Sequence, residues 1–346
     1  MSRRAPRIRR SPSGRLMSTV AAVALALTLG ACGGDSGAST PAAGASSAAG
    51  TAFPVTIAHK YGSTTIEKAP TRVVTLGLSD HDAVLALGVV PVGVVDWFGE
   101  RPYGNWPWVK DRWGGTPPQI VGERDEYQTE KIIALKPDLI VAQYSGMTQA
   151  QYTTLSKVAP VVAQIKEFPD YAAPWKDMSL VIGRALGQEP AMTKLLGDID
   201  KRFADVRAQH AAWAGKTAAV TDASEPGTYA AFAKSDPKAQ LLADMGFKLA
   251  PAVDAAAGKE TAAVLSAERL DILDVDQLVV LTGDGTVEPR VRADKAFAAL
   301  NVAKNNRVVF VPYMEPPIGA ALSFVTVLSV PYAIDQLVPM LAKTSG

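Results

Sequence analysis

From residue 188 the chain reads Gln188-Glu189-Pro190-Ala191-Met192-Thr193-Lys194-Leu195-Leu196-Gly197-Asp198-Ile199-Asp200, and continues Lys201-Arg202-Phe203-Ala204-Asp205-Val206-Arg207-Ala208-Gln209-His210-Ala211-Ala212-Trp213. Gly197 is the one glycine in this stretch, and no proline follows Pro190. Leu195, Leu196, Ile199, Phe203 and Val206 return at helical spacing, so the run predicts one long helix over 188–213. At 1.5 Å per residue, roughly 25 residues span about 37 Å, the width of a small domain. Such a helix can bridge two lobes.

The flanking sequence alternates strand and helix on both sides of it. Upstream, residues 53–67 read as a hairpin turning at Tyr61-Gly62-Ser63. Strands are expected at 72–76, 91–95, 138–141 and 161–163, with helices at 81–87, 128–136 and 148–158. Ser79 or Asp80 stands where a helix cap is needed. Downstream the pattern restarts, with strands at 217–222, 228–232, 277–281 and 308–311 and helices at 237–245, 265–273, 293–300 and to the end. Repeated βα units imply parallel sheets covered by helices. The expected fold is therefore α/β: two Rossmann-like lobes, 53–187 and 214–346, joined by the 188–213 helix, with a ligand cleft between them.

The 346 residues are 48% hydrophobic, enough for sizeable cores. A net charge of +1 gives none of the basic excess that a nucleic-acid partner demands. The single cysteine, Cys32, excludes an intramolecular disulfide framework, and its position explains it. Arg3, Arg4, Arg7, Arg9, Arg10 and Arg15 precede an apolar run over 16–31. That run is shorter than the ~20 residues a spanning helix needs, but it suits a signal peptide. Leu29-Gly30-Ala31-Cys32 looks like a lipobox. Residues 1–31 are thus expected to be a lipoprotein signal peptide, Cys32 the lipid-bearing residue, and the Gly/Ser/Ala-rich 32–52 a coil-like tether.

Two segments correspond across the long helix. Glu130-Lys131-Ile132-Ile133-Ala134-Leu135-Lys136-Pro137-Asp138 and Glu268-Arg269-Leu270-Asp271-Ile272-Leu273-Asp274-Val275-Asp276 each open on a glutamate and reach an aspartate just before an apolar strand. By themselves these glutamates read as first-turn charges complementing a helix dipole. With Arg72-Val73-Val74-Thr75-Leu76-Gly77, Asp82-Ala83-Val84-Leu85-Ala86-Leu87-Gly88 and Tyr152-Thr153-Thr154-Leu155-Ser156-Lys157-Val158-Ala159-Pro160, they resemble periplasmic-type binding proteins for iron-siderophore, haem and cobalamin uptake. The resemblance covers about residues 53–340. It implies two lobes on one stiff helix, capture of a ferric siderophore, and delivery to an ABC permease and its ATPase by a monomer held to the membrane through its lipid. It also implies that Glu130 and Glu268 dock onto permease arginines. Haem and cobalamin are the alternative ligands.

The expected ligand contacts begin with the loop after residue 96. Four of the six tryptophans lie there, Trp97, Trp106, Trp108 and Trp113, with Phe98, Tyr103, Arg101, Lys110 and Arg112. Aromatic faces beside cations suit a flat, anionic, partly apolar chelate. Tyr144, Tyr171 and Trp175 on one side and Tyr229, Lys234 and Tyr313 on the other follow predicted strand ends, where such clefts open. Some of these residues have core packing as their other reading. The three histidines, His59, His81 and His210, sit on unrelated elements, so no resident metal or other cofactor is expected and iron arrives chelated. An extracytoplasmic hydrolase is the competing class, but no Gly-x-Ser-x-Gly, P-loop or His-Glu-x-x-His motif is present.

Overall fold

The structure, a computed structural model, describes residues 53–99 and 101–344. Cys32, the signal-peptide segment and the tether lie outside the described residues. A hairpin of β1 (Val55–His59) and β2 (Gly62–Ile66) opens the fold. The first sheet contains β3 (Val73–Thr75), β4 (Gly93–Asp96), β5 (Gln119–Glu123), β6 (Glu126–Tyr127), β7 (Leu139–Val141) and β8 (Val161–Val162). Its order is β6-β5-β4-β3-β7-β8, with every neighbouring pair parallel except β5 and β6. Helices α1 (Asp80–Ala86), α2 (Thr129–Ala134), α3 (Gln149–Leu155) and α4 (Trp175–Ala185) belong to this part of the chain.

α5 (Glu189–Gln209) follows and is 21 residues long. Its buried stripe is Met192, Leu196, Ile199, Phe203 and Val206, spacings of three and four that keep one face on the core. That stripe joins a cluster drawing on Val73, Leu139 and Val141 of the first sheet and on Val220, Val279 and Val309 of the second. The helix stops four residues short of the predicted end. Residues Ala211–Trp213 tighten into a 3₁₀ turn, because Trp213 stacks on His210 at 4.1 Å and on Phe247 at 4.8 Å and is drawn out of the helical path.

The second sheet contains β9 (Thr217–Asp222), β10 (Thr228–Phe232), β11 (Lys248–Leu249), β12 (Ala262–Ser266), β13 (Gln277–Thr282) and β14 (Val308–Pro312). Its order is β12-β10-β9-β13-β14, with β11 added against β9. β9, β13 and β14 run parallel as the alternation predicts, but β10 is antiparallel to both β9 and β12. The connection from Asp222 to Thr228 is too short for a crossover helix, so the chain can only double back. Further differences are local. The expected helix over 265–273 is a 3₁₀ stretch, Ala267–Leu273, entered from β12. α4 and β5 arise where no regular element was expected.

The paired segments around Asp138 and Asp276 occupy equivalent places. Asp138, ahead of β7, accepts hydrogen bonds from the backbone N–H groups of Thr71 and Arg72 and from the Thr71 hydroxyl, at 2.7–3.0 Å. Asp276, ahead of β13, accepts from the Thr217 N–H at 2.8 Å and its hydroxyl at 2.9 Å. Each aspartate laces the amino end of one parallel strand to the next. Burial pushes the Asp138 carboxyl up, but these hydrogen bonds outweigh it and hold it below the usual value; those from Thr217 do the same for Asp276.

Candidate functional site

The carboxyl ends of β4, β5 and β7 present an aromatic patch. Trp97 leaves β4 and meets the Tyr171 ring edge-on at 5.9 Å; Tyr144, beyond β7, meets the same ring edge-on at 5.7 Å. Arg124, just past β5, lies over Trp97 at 5.9 Å. Arg124 and Tyr171 both adopt left-handed backbone conformations, φ 51° and 63°, which L-residues adopt at a cost and which cluster at functional sites. Tyr171 remains 38% exposed, whereas Trp97 and Tyr144 are partly buried and Trp97 also packs against the core of the first sheet, so solvent reaches the patch chiefly at Tyr171.

Asp125 organises the patch from behind. Its carboxylate accepts from the Tyr171 hydroxyl, from the Tyr127 hydroxyl at 3.1 Å and from the Gly146 N–H at 2.9 Å. Burial and then the Asp125 contact push the Tyr171 phenol above its ordinary range. Burial and then the charge of Asp236, in the second half, push Tyr144 the same way. Both rings therefore stay phenols across physiological pH. The two-residue gap between β5 and β6 is what places Arg124 and Asp125. A sequence reading that takes 96–118 as one irregular loop and names no strand after it has no way to find them.

The aromatic loop divides between this patch and a second region. Trp106, Trp108 and Trp113 turn inward, and Trp106 and Trp113 are 3% and 4% exposed. Trp106 and Trp108 stack at 5.2 Å with their planes 6° apart. Phe98 and Trp106 pack on Phe324 at 4.8 and 5.6 Å, and Trp108 packs on Tyr332 at 5.4 Å, so the loop is seated on the helices of the second half. The Trp108 indole N–H donates to Asp82 at 2.9 Å. Tyr103 packs edge-on against Trp113 at 5.4 Å, while Arg112 is exposed on a 3₁₀ turn. The Arg101 guanidinium reaches Glu315 and the Met314 carbonyl, a further link between the halves.

On the second half, Tyr313 leaves β14 and lines a cavity of about 560 Å³ with Asp284, Glu288, Arg292, Met314 and Glu315. Tyr229 is placed elsewhere: it is 3% exposed, its hydroxyl donates to Asp294 at 3.0 Å, and its ring stacks on Phe297 in a separate core. Lys234 is exposed, and its backbone N–H is fixed by Asp254. Trp175 opens α4 rather than following a strand, and packs against the central core. Glu130 and Glu268 are both exposed, in the first turn of α2 and of the Ala267–Leu273 stretch. The structure thus brings Trp97, Tyr144 and Tyr171 into one patch and Trp106 and Trp108 into a buried junction. Tyr229 is in neither group. Neither Ser79 nor Asp80 caps α1 with its side chain; Asp80 instead accepts from the Gln143 and Tyr144 N–H groups at 2.8 and 3.0 Å.

Comparison with known proteins agrees with this architecture. A Bacillus subtilis relative, the putative ABC transporter substrate-binding lipoprotein YhfQ, is 28% identical over 74% of this chain and 80% of its own length. The Fe(3+) dicitrate-binding periplasmic protein FecB of Escherichia coli is 34% identical over 46% of this chain and 51% of its own length. The crystal structure of a periplasmic solute binding protein from Mycobacterium smegmatis superposes with a TM-score of 0.74 at 33% identity, covering 84% of this chain and 99% of that one. The periplasmic binding protein family matches residues 73–313, more than half of the sequence, and the chain belongs to that family.

Proposed function

We propose that the protein is an extracytoplasmic, lipid-anchored binding protein that captures a ferric siderophore-type chelate and hands it to an ABC importer. The observation that carries this reading is the aromatic patch of Trp97, Tyr144 and Tyr171 with Arg124 over the indole, at the carboxyl ends of three strands. Aromatic faces with an adjoining guanidinium suit an anionic ligand that is flat and partly apolar. The names of the relatives, a substrate-binding lipoprotein and a ferric dicitrate-binding protein, support the same class of cargo. Tyr313 and the 560 Å³ cavity beside it supply the facing wall in this reading. Cys32 carries the lipid. Glu130 and Glu268, exposed in corresponding segments, present one carboxylate each to basic residues of the permease.

A panel of ferric catecholate, hydroxamate and carboxylate chelates, haem and cobalamin, titrated while following tryptophan fluorescence, tests the proposal. At least one ferric chelate should quench the signal saturably. Preference for haem or cobalamin would change the ligand class, and indifference to the whole panel would sink the transport reading.

A further inference from the structure

α1 begins with three consecutive buried polar residues, Asp80, His81 and Asp82, at 3%, 6% and 2% exposure. Asp80 is accounted for by its backbone donors. Asp82 is arranged differently. One of its oxygens, Oδ2, accepts from the Trp108 indole N–H at 2.9 Å and from the Thr326 hydroxyl, the latter 244 positions away in the second half. Its other oxygen, Oδ1, has no hydrogen-bond donor, and His81 Nε2 makes no hydrogen bond of good geometry, although the Gly104 backbone lies beside the ring. These two orphaned atoms lie 3.2 Å apart.

Buried polar atoms without partners are rare and costly, and an uncompensated buried carboxylate costs more still. A single proton between Oδ1 and Nε2 removes both deficits at once. We propose that Asp82 is held as a carboxylic acid that donates to His81 Nε2, and that this neutral pair is a latch positioning the aromatic loop against the second half. Oδ2 then acts as a carbonyl acceptor for Trp108 and Thr326, and every polar atom of the carboxyl group is used. The loop is shaped around the pair. The His81 ring stacks on Trp113 at 5.6 Å, and a Cβ on Gly104, at φ 63°, would fall 2.5 Å from Nε2, so only glycine leaves room for it.

Few charges reach this site. Asp80 is turned toward β7, Arg112 acts on Asp82 from an exposed position, and the second half brings the Thr326 hydroxyl; Trp175, Met178 and Ser179 of α4 line a small cavity with Asp80 and Thr326, and the Tyr332 phenol ring packs on Trp108. Burial pushes Asp82 up to about 7 against the opposing pull of Thr326, Trp108 and Arg112, and pushes His81 down to about 4 against that of the Gly104 backbone. The pair accordingly carries one proton between those limits, and its titration belongs to the pair. In an opened junction, solvated His81 would hold that proton only up to its ordinary value of 6.5. Burial raises Asp82, so the closed pair keeps its proton below about 7 and loses it as pH rises through that value, leaving a buried charge that weakens the latch.

The three histidines make a direct test possible in the purified protein without ligand. Long-range ¹H–¹⁵N spectra at pH 5.5, assigned with His59→Gln and His210→Gln, should show the His81 ring neutral, and the Asp82 carboxyl carbon should resonate as the acid. A charged imidazole beside a carboxylate anion would overturn the proposal. Asp82→Asn provides a second arm, because an amide NH₂ can donate to His81 while its carbonyl accepts from Trp108 and Thr326. That variant should fold and lose the change in tryptophan fluorescence that wild type shows between pH 6 and 8. An undiminished change would refute the latch. A functional arm rests on the transport reading: ferric chelate should leave wild type severalfold faster at pH 8 than at pH 6, but leave Asp82→Asn at one rate. If no chelate binds at all, the transport reading fails while the spectra still decide the latch.

Discussion

Two groups of aromatic side chains drawn largely from one loop do different work here. Trp97 stands partly buried with Tyr144 and Tyr171 at the rim of the first sheet with a guanidinium above it, whereas Trp106, Trp108 and Trp113 are packed into the seam between the halves. The lesson is that residue type sets what an indole can do, and the backbone on either side sets which of those things it does. Trp97 is one residue past β4, at a bend. Trp106 and Trp108 lie beyond the Pro102–Gly104 turn, where left-handed Tyr103 and Gly104 redirect the chain under α1.

This contrast can be broken by substitution, and the largest effect should come from the seam. Trp106→Ala removes a ring stacked on Trp108 and packed against Phe98 and Phe324, so it should cost about 3–5 kcal/mol of stability by denaturant titration. A loss below about 1 kcal/mol would show that the seam is loosely packed and that its tryptophans are free to face ligand. Trp97→Ala should behave the opposite way. Stability should fall by less than for Trp106, since Trp97 is only partly buried, while affinity for the best ferric chelate drops about tenfold, or ~1.4 kcal/mol, in an equilibrium quench assay followed through the remaining tryptophans. Equal affinity would remove Trp97 from the ligand wall.

Asp125→Asn sharpens the account of the aromatic patch. Since Asp125 adds to the elevation that burial gives Tyr171, the alkaline absorbance titration of the variant should show a phenol ionising at lower pH than in wild type. Chelate affinity should weaken severalfold as Tyr171 loses its fixed orientation. An unchanged titration would mean that burial alone sets the phenol. The smallest effect on the protein itself is expected from Glu130→Arg with Glu268→Arg. Both side chains are exposed, so stability should change by no more than about 1 kcal/mol through the helix termini and affinity should hold. Uptake by cells carrying the double variant should nevertheless fall sharply, and full uptake at normal expression would leave these glutamates as helix-terminus charges.

Parts of this molecule were legible in the sequence because they repeat. The stripe from Met192 to Val206 is periodic, and periodicity needs no knowledge of neighbours, so α5 was found to within four residues at its end. The α/β alternation was legible for the same reason. The matching of Asp138 with Asp276 was also visible, but its purpose was not, since the threonines that bind them, Thr71 and Thr217, lie 67 and 59 positions away. The division of the aromatic loop was hidden because both destinations favour the same residue types. Asp82 and Thr326 were hidden more deeply: a carboxylate at a helix start has an ordinary local explanation, and nothing local points to a hydroxyl 244 residues on.

The Arg101–Glu315 contact has a consequence of its own. It joins the two halves with a guanidinium that is 22% exposed and a carboxylate that is 78% exposed, so mobile ions have access to it. With its carboxylate so exposed the pair contributes about 1 kcal/mol or less, the guanidinium lying also over the Trp106 ring at 5.6 Å, and at physiological ionic strength screening acts over roughly 8 Å. Added salt should therefore loosen this tie while leaving the aromatic seam untouched, since the seam holds by packing. Melting temperature should accordingly stay nearly constant as ionic strength rises, so any change in ligand exchange over the same range would report on this one contact and not on the packing of the seam.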